Sequence, residues 1–266
     1  MKSAREIYLA TRVHGLRTRL LKPEDYTALI GAKTLSEVLE YLSKTDYNDV
    51  VRDLPPVGID AVTLERAVLK KFVNRLSFIT DISTGVFGEF LRQYIKRFEA
   101  ENVKKILRAI RSKRPREEVE PELYPLPRRY TQVNIRAMLD AKTVEEAVEL
   151  LRETIYREAR NVIELCRQLK SLLPLEAAID QAYYKVVFEA YKKLPPSDKK
   201  PVIEVIGAEV DLKSFMIVVR CVLLRVKPEI AQMLLQPYTY KVRLRALKEV
   251  LNARTVSETL LALTNT

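Results

Sequence analysis

The phrase LIGAKTLSE at Leu29–Glu37 returns twice in this 266-residue chain, as MLDAKTVEE at Met138–Glu146 and as VLNARTVSE at Val250–Glu258. Its alanine stands at 32, 141 and 253, so successive copies lie 109 (141 − 32) and 112 (253 − 141) residues apart. Helical solenoids repeat every ~20–50 residues, so a period this long points to duplication of larger supersecondary units. A chain assembled from copies of itself is expected to be a scaffold more than the carrier of one catalytic centre.

Each copy holds Thr-x-x-Glu: Thr34 with Glu37, Thr143 with Glu146, Thr255 with Glu258. This is the capping-box pattern, in which the hydroxyl and the carboxylate satisfy the free amides at a helix start. Just before it stand Gly31, Asp140 and Asn252, residue types that tolerate the left-handed geometry closing a preceding helix. The phrase therefore predicts a helix, a tight turn and a capped helix. Beyond the box, Leu39, Val148 and Leu260, then Leu42, Leu151 and Leu263, keep one helical face apolar. Thr45, Thr154 and Thr266 follow, and Tyr47 and Tyr156 come two places later in the first two copies.

A second repeated segment runs Glu99–Arg108 and Asp211–Arg220, with Arg108 and Arg220 112 residues apart (220 − 108). An acid early in a helix and an Arg late suit the helix dipole. Ser214–Leu224 is apolar nearly all round, which predicts a helix central in its bundle. The matching segment carries Lys104, Lys105 and Arg111 and is expected nearer the surface. Further helices are predicted over Asp60–Ile79, Ile155–Leu173 and Leu175–Leu194, the last two ended by Pro174 and Pro195-Pro196. Breaks are expected at Pro55–Gly58, Lys113–Pro127 and Pro195–Pro201, with Lys113–Pro127 the best linker. Six glycines, abundant Leu, Ala, Glu, Lys and Arg, and no sustained strand alternation predict an all-α fold. The length suits two compact units, each able to bury a core.

The formal net charge is +11. Basic residues gather in two stripes, Lys96–Glu117 and Lys213–Arg254, which could attract nucleic acid, acidic lipid or an acidic protein face. A solvated basic surface explains them equally well. The stretch Phe215–Leu224, broken by Arg220, is too short to span a bilayer, and no signal peptide is visible, so a soluble protein is expected. Cys166 and Cys221 lie in apolar-periodic segments and are expected in the core of a protein from a reducing compartment. The chain holds no GxxxxGK[ST] and no GxGxxG. Its single histidine, His14, has no second His or nearby Cys with which to anchor zinc. Tyr184, Phe188 and Tyr191 form an aromatic stripe expected in the core, whereas Tyr238 and Tyr240, flanking a basic run, are the better candidates for stacking on bases. No catalytic, cofactor or metal residue is assigned.

Tyr8-x-x-x-Arg12, Arg17-x-x-Leu20-Leu21, Tyr26 and Leu42-Ser-Lys-Thr45-Asp-Tyr47, together with the paired segments ending in Arg108 and Arg220, resemble the C subunit of archaeal A-type ATPases. That family includes the d subunit of vacuolar V-type ATPases, and the resemblance spans essentially the whole chain. It implies helical-bundle lobes in a pseudo-threefold funnel: a first over 1–121, a second over 122–235 and the beginning of a third over 236–266. It also implies a non-catalytic rotor or central-stalk component of a proton-translocating ATPase, without cofactor. Such a component is peripheral on the cytoplasmic face of the membrane and joins the proteolipid ring to the central shaft. Thr34, Glu37, Thr143, Glu146, Thr255, Glu258, Arg108 and Arg220 are the residues expected to define the repeat, with Arg108 and Arg220 serving as bundle salt bridges. The chain departs from the family pattern in three places. Glu99 stands where Asp is usual, Ser214 stands where Asn is usual, and the third lobe stops at Thr266. The rival expectation is a basic all-helical nucleic-acid-binding protein.

Overall fold

A computed structural model describes residues 4–251 and 258. Every regular element among them is helical. The chain opens with α1 (Ala4–Arg17), α2 (Pro23–Gly31), α3 (Leu35–Ser43), α4 (Asn48–Arg52) and the long α5 (Ala61–Ile82), followed by α6 (Gly85–Tyr94) and α7 (Arg97–Arg111). The short α8 (Arg116–Val119) and two 3₁₀ turns lead to α9 (Ile135–Asp140), α10 (Val144–Glu149) and α11 (Ile163–Gln168). The two longest C-terminal helices, α12 (Leu173–Lys192) and α13 (Pro196–Leu223), precede α14 (Pro228–Leu234) and α15 (Leu244–Val250).

The first two copies of the repeated phrase form the same corner. α2 leads to α3, and α9 leads to α10, each second helix capped by the phrase threonine. The Thr34 hydroxyl accepts from the Glu37 amide at 3.2 Å, and Thr143 does the same with Glu146 at 3.2 Å. Each glutamate reaches back, but one residue beyond the cap: Lys33 N–H donates to Glu37 at 2.8 Å and Lys142 N–H to Glu146 at 2.7 Å. The preceding helices do not close in the left-handed form expected of Gly31 and Asp140. Instead Ala32 (φ −65°, ψ 134°) and Ala141 (φ −64°, ψ 138°) turn the chain into extended geometry. A small alanine suffices there, since no left-handed residue is needed. Thr45 and Thr154 also match, each donating to the carbonyl three residues back and accepting from the amide two residues on. In the third copy, α15 supplies the leading helix; Thr255 lies outside the described residues, and Glu258 is exposed.

Several prolines act differently from expectation. Pro174 does not end a helix; it is the second residue of α12, where a missing N–H leaves no bond unmade. The chain breaks earlier, at Lys170 with φ 48°, and the stretch predicted as one helix from Ile155 is a 3₁₀ turn over Arg157–Val162 followed by α11. Pro201 does not break the chain either, but sits inside the 28-residue α13, whose buried residues begin at Ile206. Lys113–Pro127 is no loose linker. Val119 is buried, and the Asn102 carboxamide holds Tyr124 from both sides, donating to its carbonyl at 2.9 Å and accepting from its amide at 2.7 Å.

The main core gathers buried side chains of α6, α7, α9, α10 and α12. A second cluster lies among α12, α13, α14 and α15. A smaller one, built on Leu42, Val50 and Leu64, stabilises the first hairpin. Cys166 and Cys221 are buried and unpaired in these clusters. The expected ranking of the two repeated helices is reversed. α7, with its lysines and arginines, is the deeply buried copy, because α9, α10 and α12 cover it and acids neutralise its charges. α13, which carries the apolar stretch Ser214–Leu224, leaves Leu212, Met216 and Leu223 in solvent.

Candidate functional site

The acids that open the two repeated segments do the same structural job, although Asp211, expected early in its helix, stands in the middle of α13. Glu99 on α7 accepts from the amides of Gln132 and Val133, the latter at 2.9 Å, and from the Tyr156 hydroxyl at 3.3 Å. Asp211 on α13 accepts from the amides of Tyr240, Lys241 and Val242 at 2.9, 2.7 and 3.1 Å. Val133 and Val242 each stand immediately before the N-cap residue of the next helix, Asn134 of α9 or Arg243 of α15. Each acid thus ties its helix to the segment that leads into the next copy of the phrase. At α13 the approach is close enough to require Gly207, where a Cβ would fall 2.5 Å from Tyr240.

The clamp one turn later has diverged. Asn102 makes its two bonds to Tyr124, whereas Ser214, in the same place on α13, has a buried hydroxyl with no partner. Burial pushes the Glu99 carboxyl above its ordinary range, and the Val133 and Gln132 amides and the Tyr156 hydroxyl only partly offset this. Burial likewise raises the Tyr156 hydroxyl well above its usual range, with the Glu99 charge beside it adding to the effect.

Between α7, α12 and α13 lies a cleft of about 320 Å³ with charged walls. Arg108 Nε donates to Glu176 Oε1 at 2.6 Å, and Arg220 Nη1 donates to the other oxygen, Oε2, at 2.7 Å. The two repeat-defining arginines therefore converge on one carboxylate of α12. Lys104, buried, donates to Asp180 at 2.6 Å and to Glu101 at 2.8 Å; Lys213 donates to Glu101 at 2.9 Å and lies 3.6 Å from Asp180. Arg97 pairs with Glu209 and also donates to the Tyr94 hydroxyl at 2.7 Å.

Alternating charges are what make this cleft tolerable, since a buried ion is strongly unfavourable unless paired. Burial alone would raise Glu176 and Glu101. The Arg108 and Arg220 guanidiniums hold Glu176 below its ordinary range, and Lys104 and Lys213 pull Glu101 down to about 2. These acids are fixed as anions, and such groups hold position rather than exchange protons. Arg108 and Arg220 remain half-exposed at the rim, with donors still open to a partner.

The remaining candidates are structural. Tyr184 and Phe188 are buried, and Tyr238, read from sequence as a base-stacking residue, lies flat on Phe188 at 4.1 Å. Tyr240 packs against Gly207. Much of the first basic stripe is paired within the chain: beyond the cleft, Arg114 meets Glu122 and Arg116 meets Asp140 at the surface. These observations remove the support that Tyr238 and the first stripe gave to nucleic-acid binding; in the second stripe Arg225, Lys227, Lys241 and Arg243 are exposed. The shared Glu176 and the Glu101–Lys213 pair were not visible in sequence, since their partners are brought together only by the fold.

Comparison with known proteins places the chain. A family model described as ATP synthase (C/AC39) subunit matches residues 9–266. The chain is similar to the A-type ATP synthase C subunit of Haloferax volcanii, with 27% identity over 210 residues covering 78% of this chain and 59% of that protein. The C subunit of the Methanosarcina mazei A-type ATP synthase is 24% identical over 214 residues, covering 80% and 58%. That of Archaeoglobus fulgidus is 24% identical over 215 residues, covering 80% and 60%. The chain thus spans a little over half the length of the curated relatives it matches.

Proposed function

The chain belongs to the ATP synthase (C/AC39) subunit family, and from that premise we propose that it is a non-catalytic mechanical adapter of a rotary ATPase. In this reading it sits peripherally on the cytoplasmic face of the membrane and joins the central shaft to the proteolipid ring. The repeating units are 1–121, 122–235 and 236–266, the last the start of a third.

One observation carries the reading. The two copies of the repeated helix touch through matching positions, Arg97 with Glu209 and Glu101 with Lys213, each pair 112 residues apart. Contact between equivalent positions is what units arranged by rotation about a nearby axis would make, and a shaft end needs a socket of that kind. Helical packing suits torque transfer, because close-packed interiors are stiff and pass strain on. No helix among the described residues is long and apolar enough to cross a membrane, which accords with attachment through partners.

The test is co-purification of the tagged chain with proteolipid and central-shaft proteins from membranes of a cell that makes the whole ATPase. Retention of both supports the adapter role, and retention of neither refutes it. Removing only one class of partner from the eluate would assign the chain to one end of the shaft.

A further inference from the structure

The chain beyond α13 follows the path it takes beyond α7. Both helices end alike: Arg114 N–H donates to the Ala109 carbonyl at 3.0 Å and Val226 N–H to the Cys221 carbonyl at 2.9 Å, just after Lys113 (φ 53°) and Arg225 (φ 50°). These equivalents stand 112 residues apart (226 − 114), as do Val119 and Ala231, both buried, and the tripeptides Leu123-Tyr124-Pro125 and Leu235-Gln236-Pro237. Gln236 therefore takes, beside Ser214, the place that Tyr124 takes beside Asn102.

In the first copy that place is filled. The Phe98 and Tyr124 rings lie 5.0 Å apart, and the Asn102 carboxamide bonds both backbone groups of Tyr124. In the second copy all three residues are smaller: Val210 for Phe98, Ser214 for Asn102 and Gln236 for Tyr124. Val210, Ser214 and Gln236 are each 0% exposed. Yet the Ser214 hydroxyl and both ends of the Gln236 carboxamide have no hydrogen-bond partner in the protein.

A buried carboxamide bonded at neither end is strongly unfavourable, and buried polar groups in folded proteins are satisfied by protein or by water. An internal water needs two to four polar partners, and its share of liquid volume is about 30 Å³. Three orphaned polar atoms supply the partners, and the difference in volume between a phenyl and an isopropyl group alone exceeds that share.

We infer that the Gln236 carboxamide holds an internal water between α13 and the segment leading to α15, where α7 uses the side chain of Asn102. The Ser214 hydroxyl borders this water. The carboxamide both donates and accepts, so it keeps the water when the hydroxyl is removed. The two junctions then differ in kind. The one at α7 is closed by bonds made directly from side chain to backbone, and the one at α13 through a molecule that can turn as the groups around it shift. A bond through water is nearly as favourable as a direct one, so the second junction gains adaptability at little cost in strength. The site is built from orphaned groups inside the described chain and owes nothing to the rotor reading.

The test is NMR on the full-length chain labelled with ¹⁵N at glutamine, the Gln236 side-chain amide protons being identified by their loss in Gln236→Met. Cross-peaks from these protons to water are expected, with laboratory-frame and rotating-frame Overhauser effects of opposite sign, the signature of a held water as against proton exchange. Ser214→Ala should retain them, which excludes relay through the serine hydroxyl. Ser214→Asn supplies the carboxamide that α7 uses and should abolish them. Circular dichroism checks that this variant is folded; Val210→Phe, which restores the ring of α7 and fills the space, replaces it if it is not. Absence of the cross-peaks in the wild type overturns the inference, since the carboxamide would then have found its partner within the protein. So does their loss in Ser214→Ala or their survival in the folded space-filling variant. Co-purification with ring or shaft proteins plays no part in these readouts, so the two tests fail independently.

Discussion

Lys213 donates to the Glu101 carboxylate at 2.9 Å, and the two are the same position of one helix that occurs twice. The neighbouring equivalents Arg97 and Glu209 pair in the same way. At both places one copy carries the base and the other the acid. Two identical residues facing each other across a junction would repel, so divergence after duplication has turned a self-contact into a complementary one.

Glu101 should make stability depend on acid pH. Its native carboxyl is held at about 2 against an ordinary 4.5, the effect of burial being outweighed by Lys104 and Lys213. A depressed native value means that stabilisation is present above the unfolded value and is lost as pH falls through about 2. Glu101→Gln is expected to cost about 2 kcal/mol at neutral pH, since two lysines lose a charged partner. Urea unfolding at stepped pH should show the wild type and the variant converging on acidification. A gap that stays constant down to strong acid would contradict the assignment.

The sharing of Glu176 predicts non-additivity. With Arg108→Ala alone, Arg220 still neutralises the carboxylate, and the reverse holds too; both arginines are half-exposed, so solvent screening keeps each single loss to about 1 kcal/mol or less. Removing both strands a nearly buried anion. The double variant should therefore fall below the sum of the singles by about 1 kcal/mol or more in a double-mutant cycle. Simple additivity would mean that the two arginines act on separate partners.

What the sequence made legible was local. The corner at Thr34–Glu37 and Thr143–Glu146 depends on residues three apart, and it could be read before any tertiary contact was known. The burial of α7 could not, because Lys104 becomes a core residue only when Asp180, 76 positions away, comes to meet it. The apolar stretch Ser214–Leu224 was legible too, but its periodicity did not say which sides the fold would cover, and Met216 and Leu223 remain exposed. Pro174 announced a boundary without saying on which side of it the helix lay, since proline serves a first turn as well as it ends a last one. Arg108 and Arg220 were legible as equivalent by spacing, whereas their common partner on α12 was not.

The divergence between Asn102 and Ser214 should be measurable. Asn102→Ala removes two bonds that tie the Tyr124 segment to α7 and leaves part-buried backbone groups unpaired, at an expected cost of about 1–2 kcal/mol. Ser214→Ala removes a buried hydroxyl that has no partner, and its effect is expected to be neutral or slightly stabilising. Thermal unfolding of the two variants side by side makes the comparison. Equal destabilisation would show that Ser214 has kept a clamp of its own.

Glu99 should respond to pH in the sense opposite to Glu101. Its native carboxyl is raised, so its contribution is fully present below the unfolded value, an ordinary 4.5, and is lost as pH rises through the native value. Glu99→Gln keeps an oxygen to accept from Gln132 and Val133 and adds an amide able to donate to the Tyr156 hydroxyl, without burying a charge. The variant should match or exceed the wild type in stability at neutral pH and lose that advantage as the solution is acidified, because the wild type then takes up its proton. Unfolding free energies at pH 7 and pH 4 decide the matter. If Glu99→Gln is instead the weaker protein at pH 7 and recovers in acid, the ionised carboxylate is the favoured form, and the clamp on the segment leading to α9 is an ionic one.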